Sequence, residues 1–155
     1  MKGLYIFGGG DYAIKVLESL RRSAYNVSGL ILPNNADHIL NGIPCYDENS
    51  IMEMSSPGNA FVAIGNATKR QKLMDKLRDK GWDLPYIVHS FSSISPSASI
   101  GNGVYIAAGV VIEANCSIGE GAIIDIGVFL DHGCVIPPFS HIRSKFAYTK
   151  NDLFA

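Results

Sequence analysis

The chain has no apolar run approaching the ~18 residues that a membrane-spanning helix requires. It also has no excess of charge of either sign: the net charge is −1 over 155 residues, of which 17% are charged. The first absence argues against a helical membrane span. The second removes the basic surface expected of a protein that grips nucleic acid or an anionic membrane. Cysteine is scarce as well. Cys45, Cys116 and Cys134 form an odd set with no C-x-x-C spacing. That pattern supplies neither a zinc site nor a disulfide framework, and it fits a reducing cytoplasm. No leader is expected either, because the apolar start Leu4–Phe7 stops at Gly8 with no cleavage site behind it and reads as a strand. The length allows one large domain or two small ones.

What the chain does have is a period of six. Ile94, Ile100, Ile106, Ile112, Ile118, Ile124, Leu130, Ile136 and Ile142 fall on every sixth position without a miss. The period is neither that of a helix nor that of a single strand. A hexapeptide repeat predicts a solenoid of short strands and turns, here a left-handed parallel β-helix with the Ile or Leu pointing inward. Two places before each of these stands a small or β-branched residue, such as Val104, Val110, Cys116, Ala122, Val128 or Cys134. Those residues suit tight corners, and Gly103, Gly109 and Gly121 suit turns with positive φ. Cys116 and Cys134 are thus read as packing residues rather than nucleophiles. Residues 92–145 supply about three coils, near the minimum for a repeat stack. An uncapped end predicts oligomerisation, most simply a homotrimer. Pro137-Pro138 is expected to interrupt the last repeat. Phe146, Tyr148, Leu153 and Phe154 in the tail are candidates to cap the open end or to pack on a neighbour.

The first half reads as a small Rossmann-like α/β domain. Strands are expected at Leu4–Phe7, Val27–Leu32, Ala60–Ile64 and Tyr86–Val88. Helices are expected from Asp11, as the cap, to about Arg22, and over Ala67–Lys80, where Gly81 stops the second one. Alternating strands and helices imply a parallel sheet with right-handed crossovers. Gly8, Gly10 and Ala13 match G-x-G-x-x-G/A, which aims backbone N–H groups and a helix N-terminus at an anion. The alternative is that these glycines only make a tight strand-to-helix turn. The acidic residue expected after the second strand is missing, since Pro33-Asn34-Asn35 stands there. That absence and the short length argue against NAD, while Asn34 or Asn35 remains able to bind a ribose or base edge.

Further residues connect the two halves. Phe61-Val62-Ala63-Ile64-Gly65-Asn66, Arg70 and Lys72-Leu73 lead through Gly81 to Val88-His89. The hexapeptides follow, with Val128-Phe129-Leu130-Asp131-His132-Gly133-Cys134-Val135-Ile136 near the end. From Met1 to about Ile142 this order resembles the hexapeptide acyltransferases of the sialic-acid O-acetyltransferase and bacillosamine-pathway amino-sugar N-acetyltransferase group. The resemblance implies a sugar- or nucleotide-sugar-binding domain at 1–88, a trimerising left-handed β-helix at 89–145, and a tail at 146–155. It implies acetyl-CoA as the acyl donor, with no metal. It also implies a cytoplasmic enzyme of bacterial surface-glycan synthesis.

By position, His132 matches the family's general base. An imidazole can take the proton from an attacking amine or hydroxyl. The family's acid after that histidine is Gly133 here, so either Asp131 or Asp125 is left to orient the ring. Backbone N–H groups of a neighbouring coil would stabilise the oxyanion. The alternative for His132 is a polar residue on an outer face. His141 falls where relatives carry a histidine near the thioester and is the acyl-CoA-binding candidate. Gly8, Gly10, Asp11, Asn34, Asn35, Gly65 and Asn66 are the substrate-binding candidates. His89 is read as structural, and His38 has no assigned task. The resemblance also implies further coils in relatives, which carry much of the CoA pocket. Two functions follow: an acyl-CoA-dependent transferase acting on an amine or hydroxyl of a sugar or nucleotide-sugar, or a truncated non-catalytic relative that binds a sugar nucleotide and serves as an oligomerisation or docking module.

Overall fold

The computed structural model describes residues 3–21, 23, 25–33, 39–40, 42–54 and 56–144. Asn34, Asn35, His38 and the tail candidates Phe146, Tyr148, Leu153 and Phe154 lie outside the described residues. The chain divides into two compact units, Met1–Pro85 and Tyr86–Ala155.

The first unit is a five-stranded sheet in the order β3-β4-β2-β1-β5. Its strands are β1 (Leu4–Phe7), β2 (Val27–Leu32), β3 (Ile39–Leu40), β4 (Ile43–Asp47) and β5 (Asn59–Val62). All neighbours are parallel except β3, which folds back antiparallel on β4. Helix α1 (Asp11–Leu20) connects β1 to β2, and α2 (Glu48–Met52) and α3 (Ala67–Asp79) flank β5 in sequence. The apolar stripe expected on α1 is the buried one: Ala13, Val16, Leu17 and Leu20 face the sheet. Its cap differs from expectation. Gly10 occupies the N-cap in extended conformation with no side-chain bond, and Asp11 is already the first helical residue. There its carboxylate meets the positive end of the helix dipole instead of capping it. Asn66 caps α3, its side-chain oxygen accepting the Lys69 N–H at 2.9 Å. Gly81 ends that helix at φ +82°, as expected.

The second unit is the solenoid. Among the described residues, ten two-residue strands, β6 (Ile87–Val88) to β15 (His141–Ile142), stack into three parallel sheets, β13-β10-β7, β14-β11-β8 and β15-β12-β9-β6. Ser93 pairs with Val111 and Val111 with Phe129, an eighteen-residue step, so three hexapeptides complete one coil. The strand over Ile87–Val88 does not join the α/β sheet as expected. It pairs with β9 and opens the first coil, because Val88 stands six residues before Ile94 and obeys the same period. The inward ladder Ile106, Ile112, Ile118, Ile124, Leu130, Ile136 and Ile142 is buried, with Val104, Val110, Cys116, Ala122, Val128 and Cys134 at the corners. At the opening coil the lining is only half covered. Tyr86, Val88, Ile94 and Ile100 border a cavity of about 420 Å³.

Left-handed backbone recurs every sixth residue too, at Gly103, Gly109, Asn115, Gly121, Gly127, Gly133 and Phe139. Gly133, where the family has an acid, is thus a turn position at φ +69°. Pro137-Pro138 does not interrupt the repeat. Val135 and His141 keep register with Ser117 and Ile123 on either side of it. The prolines sit at a corner, where the coil-to-coil bond is made by the next residue, Phe139 N–H to the Glu120 carbonyl at 2.8 Å.

Candidate functional site

The chemistry-bearing residues gather at two places, one in each unit. In the first, β1 is the strand from which the chain departs on one side to β2, while β5 lies on its other side. In open α/β sheets, ligands bind at the carboxyl ends of strands at such a reversal. Gly8-Gly9-Gly10 leaves β1 there, and Ala63-Ile64-Gly65-Asn66 leaves β5. The two loops touch. The Ala63 N–H donates to the Phe7 carbonyl at 2.8 Å, and a Cβ on Gly8, whose φ is +132°, would stand 2.5 Å from the Ala63 carbonyl oxygen. Gly8 is therefore required by the fold itself. Gly10 is not: its φ is −88°, and a Cβ there would meet nothing within 4 Å. Gly65 is equally open. These open glycines leave room for a ligand to reach the backbone. Asn66, by contrast, spends its side-chain oxygen on the α3 cap.

The wall behind Gly65 is set by a residue that sequence reading named but gave no task. Arg70 is fully buried, and its guanidinium donates to the Ile64 and Gly65 carbonyls, both at 2.8 Å. Burial lowers its pKa, while the nearby Tyr12 acts in the opposite direction. The signal was its phase, since Arg70, Met74 and Leu77 form the buried stripe of α3. On the outer side, a shallow cavity of about 300 Å³ is lined by Ile64, Lys69, Lys72, Lys76 and Glu48, with Lys76 held by Glu48 at 2.9 Å. The first turn of α3 carries no acid. Lys69, in that first turn, runs against the helix dipole, so an anion is the natural complement of that corner.

In the second unit the described residues form two histidine–aspartate pairs. Asp131 and His132 occupy a turn between β13 (Phe129–Leu130) and β14 (Val135–Ile136), not a strand. Neighbouring side chains alternate only along strands, so here adjacent residues meet. The Asp131 Oδ1 lies 3.0 Å from His132 Nδ1 and also accepts the His132 backbone N–H at 2.8 Å. In the neutral ring, a proton on Nδ1 leaves Nε2 with the lone pair. Asp125, the other candidate for this task, is engaged elsewhere: its Oδ2 lies 2.9 Å from His141 Nε2. The first pair is the more exposed, at 64% and 40% for histidine and aspartate, against 34% and 19% for the second. Below the first pair, the buried Cys116 donates its thiol to the Asp131 main-chain carbonyl at 3.2 Å. His89 accepts the Phe91 N–H on Nδ1 at 3.1 Å, a bond within the turn that opens the solenoid. Among the described residues no group of three or more His, Cys, Asp or Glu is placed to hold a metal ion, and no helix is long and apolar enough to cross a membrane.

Comparison with known proteins gives this geometry its context. Residues 3–77 match the PglD N-terminal domain. A histidine variant of perosamine N-acetyltransferase from Caulobacter crescentus, in complex with CoA and GDP-perosamine, is 36% identical. It superposes with a TM-score of 0.82 over 90% of this chain and 67% of its own. The acetyltransferase domain of PglB from Neisseria gonorrhoeae, in complex with acetyl coenzyme A, is 26% identical with a TM-score of 0.81, covering 90% and 69%. WeeI from Acinetobacter baumannii, at 20% identity, TM-score 0.80 and coverage of 90% and 68%, shares the fold. The chain thus spans about two thirds of the length of each. A small parallel-sheet domain followed by a left-handed β-helix is the architecture common to the set. With this similarity added to the glycine turn, the hexapeptide prism and the His–Asp pairs, the chain belongs to the PglD/NeuD-like family of sugar acetyltransferases.

Proposed function

We propose that the protein transfers an acetyl group from acetyl-CoA to an amine or hydroxyl of a nucleotide-sugar destined for bacterial surface glycan. The observation that carries this reading is the Asp131–His132 pair. It leaves His132 Nε2 as a proton acceptor on the outside of the prism, in a chain 36% identical to an enzyme that holds CoA and GDP-perosamine. In the reaction, the acceptor nitrogen or oxygen attacks the thioester carbonyl and His132 Nε2 takes its proton. The tetrahedral intermediate then collapses, the C–S bond breaks and the CoA thiolate leaves, to be protonated to the thiol. Asp131 keeps the ring oriented and stabilises the imidazolium that forms. Backbone N–H groups of a neighbouring coil are assigned to the oxyanion, as the resemblance implies.

The acceptor belongs to the first unit. The open Gly10 and Gly65, together with the cationic start of α3, suit a phosphorylated sugar. His141 is assigned to the acyl donor. The working assembly is a homotrimer in the cytoplasm. Phe91 and Ile126, 65% and 62% exposed, supply apolar surface of the kind a second copy covers.

The test is CoA-thiol release from acetyl-CoA with a panel of amino-sugar nucleotides that includes GDP-perosamine. Turnover that drops by about 10²–10⁴-fold in His132→Ala, the usual range for a general base, supports the assignment. Turnover that survives the substitution removes His132 from the mechanism. Binding of a sugar nucleotide without any binding of CoA by calorimetry would instead establish a docking or oligomerisation module.

A further inference from the structure

His141 and Asp125 are sixteen residues apart in sequence and adjacent in space because two coils stack. His141 begins β15 directly beside Ile123 of β12, and the Asp125 N–H donates to the Ile142 carbonyl at 2.9 Å. Both backbones are therefore pinned in the ladder, which brings the two side chains within reach of the 2.9 Å contact between His141 Nε2 and Asp125 Oδ2. The pair is also the less exposed of the two, so water competes less for the carboxylate. Its sense is opposite to that of Asp131–His132. There the carboxylate takes Nδ1, and here it takes Nε2.

We propose that Asp125 is the positioning residue of His141, holding the ring with its proton on Nε2 and presenting Nδ1 as an acceptor to an N–H group of the acyl donor. A neutral imidazole has one N–H to give. If Asp125 receives it, His141 has none left for the thioester carbonyl, which can only accept. An amide N–H is the complementary partner, and the pantetheine arm of CoA carries two of them close to its thioester. This assignment rests on the acyl-transfer reading for its ligand, but not for the pairing itself.

The experiment uses the full chain with ¹⁵N-labelled histidine, and long-range ¹H–¹⁵N spectra recorded with neutral imidazoles and assigned with His141→Gln. The wild type is expected to show His141 protonated on Nε2. Asp125→Ala is expected to lose that preference. Asp125→Asn, whose amide oxygen can still accept, is expected to keep it and to serve as the folded control. KM for acetyl-CoA should rise about 2- to 10-fold in Asp125→Ala, the worth of one hydrogen bond, with a smaller change in kcat. An acetyl-CoA analogue with N-methylated pantetheine amides should lose a similar factor on the wild type and little on Asp125→Ala. A wild-type His141 protonated on Nδ1, or a tautomer unchanged in Asp125→Ala, overturns the proposal whatever the activity. The expected tautomer in a chain that does not bind CoA overturns the amide partner, and the acyl-transfer reading with it, while the spectrum still stands for the pairing.

Discussion

Two glycines two residues apart, Gly8 and Gly10, separate the requirements of folding from those of binding. At Gly8, alanine brings two costs. A φ of +132° is a region L-residues rarely enter, worth roughly 1–3 kcal/mol. The new Cβ would also stand 2.5 Å from the Ala63 carbonyl oxygen, which belongs to the backbone next to β5 and cannot swing aside. Gly8→Ala should therefore destabilise the protein by about 2–4 kcal/mol, lowering Tm by roughly 5–15 °C for a chain of this size. At Gly10, φ is ordinary and the space beyond is open. Replacing an N-cap glycine with alanine costs up to about 1 kcal/mol, or roughly 4 °C or less. The same alanine, however, fills the approach to the backbone at the helix start. Gly10→Ala should thus melt almost normally but bind nucleotide-sugar poorly, with KM for the acceptor raised and KM for acetyl-CoA unchanged. Thermal melts and acceptor titrations on the two variants decide the matter. If Gly10→Ala binds the acceptor like the wild type, the glycine turn is only a turn and the assignment of the first unit fails. If Gly8→Ala melts like the wild type, the strain argument is wrong.

Two more outcomes follow from buried or strained positions. Arg70→Met keeps much of the volume but removes both donors to the Ile64 and Gly65 carbonyls. It should destabilise by about 2–4 kcal/mol, and urea unfolding would show it; a loss below about 0.5 kcal/mol would mean that the two carbonyls are satisfied without the guanidinium. Phe139, at φ +58°, carries an aromatic side chain where the turn prefers glycine. Phe139→Gly should be more stable than Phe139→Ala by about 1 kcal/mol, and the reverse order would contradict the left-handed backbone at that residue.

The solenoid was largely legible because one side-chain class repeats at one spacing. Even Val88 obeyed it, and only the substitution of Val for Ile hid the first strand of the coil and assigned it to the wrong sheet. The glycine period was likewise visible, but Asn115 and Phe139 occupy the same backbone state without advertising it. The segment holding β3, β4 and α2 was not legible. Its strands are short, and Pro44 inside Ile43–Asp47 reads as a break, although it is tolerated at Ile39 opposite in the antiparallel pair. Arg70 was read within a charged helix. Its phase with Met74 and Leu77 points inward, but the loop carbonyls that satisfy the buried guanidinium are not encoded in the helix pattern. The His–Asp pairs divide in the same way. Asp131–His132 is a contact between neighbours, hidden only by the strand rule of alternation. Asp125–His141 requires knowing that the coil step is eighteen residues, so that Ile123 and His141 lie side by side.

The corner proline has a consequence for how the ladder continues. In the coils before it, the equivalent residue hands its N–H to the coil above: Gly101 to the Ile118 carbonyl and Gly119 to the Ile136 carbonyl, both at 2.8 Å. Pro137 stands one step further along that column and has no N–H to offer. Any strand laid on that column, from this chain or another, would therefore find a ladder donor missing at its first rung.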